Sequence, residues 1–131
     1  MKHFIKLVVA FAVSSLILMG PAAAHVRFAT TSLKLKAEPT TVQKGKTITF
    51  TATLNSNWKK CYSQRRVHLY KDGVDQFYKG TNDLGIAKFK VTATKTAKWF
   101  VKFNGRKWGT HPHKHQCGAS QSKAVTVTVK K

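Results

Sequence analysis

The sequence predicts an antiparallel β-sandwich, and three observations predict it. Beyond residue 24, apolar residues alternate with polar ones at period two, and helical periodicity is absent. Short turn-forming clusters separate the alternating runs. About seven such runs fit into roughly 100 residues, the density expected of a sandwich of short strands.

The first 24 residues stand apart. Lys2 and Lys6 open a positively charged start, and the apolar run at 7–19 is short for a bilayer span. Gly20 and Pro21 break it, and Ala22, Ala23 and Ala24 offer the small residues of a cleavage site. Residues 1–24 are therefore expected to be a cleavable signal peptide, and 25–131 a single domain with its core at about 33–130. That domain has one small core. A secreted, extracellular product without a transmembrane segment follows as the expectation.

The strands are expected in order. Leu33, Leu35 and Ala37 alternate with Lys34 and Lys36 in the first, strand A (33–37). Strand B (46–54) sets Ile48, Phe50, Ala52 and Leu54 against four threonines. Strand C (66–71) carries Val67 and Leu69 inward, and a short extra strand is expected at 75–79. Strand E (86–92) buries Ala87, Phe89 and Val91. Strand F (98–104) buries Trp99, Val101 and Phe103. Strand G (123–130) buries Val125, Val127 and Val129. Each reads as half-buried with a polar outer face. Glu38-Pro39, Lys44-Gly45, Asp72-Gly73, Asn82 to Gly85 and Asn104-Gly105 supply the turns. Phe100 falls on an outer face, where it is expected to pair with Tyr70 across strands.

The stretches LKAEPTTVQKGKTITFTATL, LYKDG, GTNDLGIAKF, WFVKFNG and SKAVTVTV resemble the bacterial immunoglobulin-like (Big-type) domains of secreted and surface proteins. The resemblance covers about 33–130. It implies an immunoglobulin-like sandwich used for adhesion, spacing or ligand display, and it implies no catalytic residues. The chain departs from the family in its extreme charge and in its Cys- and His-bearing loops.

In such a sandwich the B–C and F–G loops share one end. Cys61 falls in the first and Cys117 in the second, so a disulfide between them is expected to staple that tip. Closing so long a loop is worth about 4 kcal/mol in the chain-entropy model.

Charge is the strongest compositional fact: 24 Lys and Arg stand against 4 Asp and Glu, a formal +20. Losing Lys2 and Lys6 with the leader takes it to +18. Such a field draws polyanions and is screened by salt. The expected partners are polyanions or an anionic cell surface (wall polymer, acidic glycan, anionic lipid or nucleic acid without specific readout), met by a monomer. The tip concentrates this charge among aromatics. Trp58, Lys59, Lys60, Tyr62, Arg65 and Arg66 come from the B–C loop; Arg106, Lys107, Trp108, His111, His113, Lys114 and His115 come from the F–G loop. A π-face stacks while cations hold phosphate or carboxylate, so these thirteen are the candidate ligand-binding residues. The alternative role for the two tryptophans is to cap the core above the disulfide. Two alternatives to a binder remain open, a surface module without a specific ligand and a cationic toxin-like protein.

Metal and catalysis are poorly served. His111, His113 and His115 alternate and could share a side, but the tip loops hold no acidic residue and many cations, so no metal site is expected there. A second idea, copper at an N-terminal His25 with His68 as its partner, has equally little support. Protonation of the three tip histidines below about pH 6 is expected to strengthen polyanion binding. The only carboxylates are Glu38, Asp72, Asp75 and Asp83, and neither a two-carboxylate pair nor a nucleophile–base set emerges. No enzyme activity and no cofactor are expected.

Overall fold

A computed structural model describes residues 25–110 and 112–131. The expected signal peptide (1–24) and His111 lie outside the described residues.

The chain folds as a β-sandwich. One sheet holds β2 (Thr31–Glu38), β4 (Thr47–Ser56) and β7 (Ile86–Thr92), in the order β2-β4-β7. The facing sheet runs β3 (Thr41–Gln43), β12 (Val125–Lys130), β8 (Ala97–Phe103), β5 (Arg66–Lys71), β6 (Val74–Gly80), with the two-residue β11 (Ser120–Gln121) also on β8. The seven expected strands are thus present as β2, β4, β5, β6, β7, β8 and β12, and their pairing is that of an immunoglobulin-like sandwich.

Period-two patterning does what it predicts. Ile48, Phe50, Ala52 and Leu54 of β4 are buried while the intervening threonines are half-buried or exposed. Phe89 pairs with Phe50 across β7 and β4, and Val67, Leu69, Val101 and Val127 close the core from the other sheet. Trp99 lies against Phe50 with ring centroids 4.6 Å apart. Leu35, Val91, Val125 and Val129, all expected inside, are only half-buried at the margins of this core.

Turn chemistry fixes the connections. Asp72 (φ 48°) and Gly73 (φ 84°) form a two-residue hairpin loop in which both residues are left-handed, as strand twist favours. Asp72 Oδ1 also accepts from the Lys98 amide at 2.9 Å, tying the hairpin to β8. Where β11 ends and β12 begins, buried Ser122 replaces a missing strand partner. Its Oγ accepts from the Val101 amide and donates to the Lys123 carbonyl, both at 3.0 Å.

Five further strands go beyond the expectation. β3 and β11 are short additions to the larger sheet. The other three form a separate sheet: β1 (His25–Ala29), β10 (His113–Cys117) and β9 (Arg106–Trp108), in that order. The expected F–G loop is therefore a hairpin of β9 and β10, with β1 added in parallel along β10.

Candidate functional site

The third sheet builds the tip. His25 pairs with His113, Val26 with Lys114, Arg27 with His115, and Ala29 with Cys117. On the other side of β10, His115 pairs with Trp108 and Cys117 with Arg106. Gly109 (φ 97°) lets the hairpin turn, and a Cβ there would collide with the His113 carbonyl. The Cys61–Cys117 disulfide, Cα atoms 5.5 Å apart, joins β10 to a 3₁₀ turn at Lys59–Cys61. Both cysteines are buried in the core cluster, so the staple closes the end of the sandwich from within rather than linking two surface loops.

The two tryptophans meet. Trp58 and Trp108 stack with centroids 5.3 Å apart and planes 21° apart. His115 is tilted against both, at 5.4 and 5.5 Å. All three are half-buried, and the indoles pack on the core. Capping and display are thus one arrangement, because the indoles pack on the core cluster that contains both cysteines while cations lie over their rings.

Those cations are ordered around the rings. The Arg27 guanidinium lies 4.1 Å from the Trp58 centroid, and Lys60 Nζ lies 5.9 Å from it. Arg65 and Arg106 stand 5.7 and 5.9 Å from the Trp108 centroid. A desolvated cation over an indole is held more firmly than one in water. Arg65 is fixed further, with Nε donating to the Lys60 carbonyl at 2.8 Å and its amide donating to Thr81 Oγ1 at 2.9 Å. Thr81, itself buried, donates to the Tyr62 carbonyl at 2.5 Å. Burial, and secondly the charge of Arg106, push the Arg65 guanidinium below its ordinary pKa.

Of the thirteen expected site residues, twelve are described. Trp58, Lys60, Arg65, Arg106 and Trp108 converge. Lys59, Lys107, His113 and Lys114 are exposed around them. Tyr62 is half-buried against the core beneath the loop, a structural position. Arg66 turns to Tyr78 on β6, its guanidinium 4.9 Å from that ring. His115, expected in the F–G loop, lies on β10 and is half-buried, with Nδ1 buried and without a hydrogen-bond partner among the described residues.

Among the described residues no group of three His, Cys, Asp or Glu side chains is placed to hold a metal. The strand register sets the backbone of His25 beside His113. His68, weighed as its copper partner, instead binds Asp75 at 3.0 Å. Phe100 stacks on Tyr70, centroids 4.8 Å apart, as expected of a cross-strand pair.

Sequence reasoning missed Arg27. The signal was present in HVRFA, where Arg27 alternates with Val26 and Phe28, but all three side chains are exposed, so the alternation marks no buried face. Val26 and Phe28 are exposed at 73% and 58%, while Arg27 packs on Trp58.

No protein-family model matches the chain, and no curated protein matches it.

Proposed function

We propose that the chain is a secreted, monomeric, cationic immunoglobulin-like module of the bacterial type that binds anionic surfaces or polymers through this tip, without catalysis or cofactor. One observation carries the reading: guanidiniums surround a tryptophan pair, and among the described residues no carboxylate forms an ion pair with them. Glu38 pairs with Lys36, and Asp75 binds His68. Asp72 accepts from the Lys98 amide, and Asp83 from Ser63 and Gln64. The arginines around the indoles are thus left without a carboxylate partner, which supports a role for an external anion there. Support for an extracellular setting comes from the disulfide, and among the described residues no helix is long and apolar enough to cross a membrane.

The test is a salt-titrated panel of teichoic-type polymer, anionic vesicles, heparin-like glycan and DNA. The reading requires retention of at least one at about 0.15 M salt, and loss of that retention on Trp58→Ala. Equal binding to all four that vanishes by that salt leaves only generic charge and overturns it. Vesicle leakage would move the function to membrane disruption.

A further inference from the structure

Beside the tryptophan pair lies a concave cleft of about 650 Å³. Gln64, Arg65, Arg66, His68, Arg106 and Lys107 line it, and Phe103 to Gly105 complete its wall. Its positive groups come from two places in the chain: Arg65 and Arg66 where the B–C loop enters β5, and Arg106 and Lys107 on β9. The cleft is thus a convergence of separate segments and not a run of charge along one strand.

The groups differ in what already holds them. Arg65 uses Nε on the Lys60 carbonyl, which leaves its two terminal nitrogens to point elsewhere. Among the described residues neither Arg65 nor Arg106 has an ion-pair partner, although both flank the Trp108 ring. His68 has Asp75, and Gln64 Nε2 donates to Asp83 at 3.3 Å, so the two carboxylates nearest the cleft are committed to its uncharged or titratable members. Each guanidinium stays charged at any working pH. Two like charges lining one cleft, with Arg65 held in place by the Lys60 carbonyl, form a site that an anion completes.

The shape of that anion follows from the donors. A single guanidinium fork satisfies a planar carboxylate in one plane. Here two guanidinium forks, an ammonium and a flanking third arginine, drawn from two segments of the chain, line one cleft, which suits an anion with more than one plane of oxygens. Resting on the anionic-polymer reading above, we infer that this cleft holds a tetrahedral oxyanion ester group, phosphate or sulfate, of the bound polymer in preference to a carboxylate.

The experiment is an NMR titration of the arginine Nε–H resonances with inorganic phosphate, inorganic sulfate and acetate, at constant ionic strength. Saturable shifts of Arg65 and Arg106 are expected with phosphate or sulfate at concentrations at least tenfold below those needed for acetate, and the tighter of the two names the ester. Arg65→Gln should weaken that binding at least tenfold, while Lys34→Gln on the opposite sheet leaves it unchanged. Arg65→Lys, which keeps the charge but not the fork, should lose most of the preference over acetate, and matching thermal melts exclude misfolding as the cause. Equal, unsaturating shifts with all three anions overturn the inference, as does an unchanged affinity in Arg65→Gln. If these tests fail while polymer retention in the panel persists, the tip binds polymers without an ester pocket. If retention fails as well, the binding function itself falls.

Discussion

Two surfaces of this molecule carry positive charge in opposite ways. The outer face of β2-β4-β7 presents Lys34, Lys36, Lys88 and Lys90 among threonines. These lysines are exposed on flexible stems, and Lys36 is partly neutralised by Glu38 at 3.1 Å. The tip presents arginines against indoles, with Arg27 and Arg65 each held by a specific ring or carbonyl. The signs are the same and the entropy differs. A strongly hydrated, mobile ammonium contributes to the long-range field, whereas an arginine already fixed loses little freedom on meeting a phosphate. The lysine face should therefore speed encounters, and the tip should decide what stays bound.

The largest way to break that contrast is to loosen the tip. Replacing Cys61 and Cys117 together by Ala should cost about 4 kcal/mol of stability, since the closed loop has a sequence separation of 56. Thermal or denaturant unfolding measures it. A loss below about 1 kcal/mol would mean that the third sheet holds itself without the staple. Where the variant remains folded, its polymer binding should become non-selective, because the lysine face is untouched.

The next largest effect compares the surfaces directly. Arg27→Ala should lower affinity for the retained polymer roughly tenfold, about 1.4 kcal/mol, at physiological salt. Changing Lys34, Lys36, Lys88 and Lys90 together to Gln should leave that affinity within about twofold while reducing the association rate at low salt. Stopped-flow binding across a salt series separates the two. Equal effects on the dissociation rate would show that both surfaces act as one undifferentiated field.

The same contrast explains what could be read in advance. The sandwich was legible because strands such as β4 and β8 bury every second side chain against a hydrophobic core, and that requirement writes itself into the sequence. The third sheet was not. β9 is three residues long, and β10 reads HKHQC, with polar residues up to its cysteine, because little of that sheet faces the core. β1 joins it through parallel pairing with a strand some ninety positions away, which no local pattern encodes. Composition therefore marked the B–C and F–G segments as a basic, aromatic tip but left out Arg27, which only β1 brings there. The cysteines were readable as a pair; that their bridge lies inside the core depended on β10 being a strand.

The smallest effect concerns the single carboxylate hydrogen-bonded to the B–C loop. Hydrogen bonds from Gln64 and Ser63, and then attraction to Lys59, hold the Asp83 carboxyl below its ordinary pKa. A lowered folded-state pKa means that the ionised form stabilises the fold. That contribution is complete above the unfolded value of 3.8 and is lost as pH falls below it toward the folded value. The site is fully exposed, so solvent screens it and the change in melting temperature between pH 5 and about pH 3 should be slight. Asp83→Asn should flatten that acid limb and leave the melt at pH 7 nearly unchanged. The variant also separates the two surfaces: Ser63 and Gln64 belong to the loop that carries Arg65, whereas Glu38 belongs to the lysine face. If Asp83→Asn shifts anion binding in the cleft while Glu38→Gln does not, the loop's own carboxylate helps set the position of the tip. If neither the acid limb nor the binding moves, Thr81 and the disulfide alone hold the loop in place.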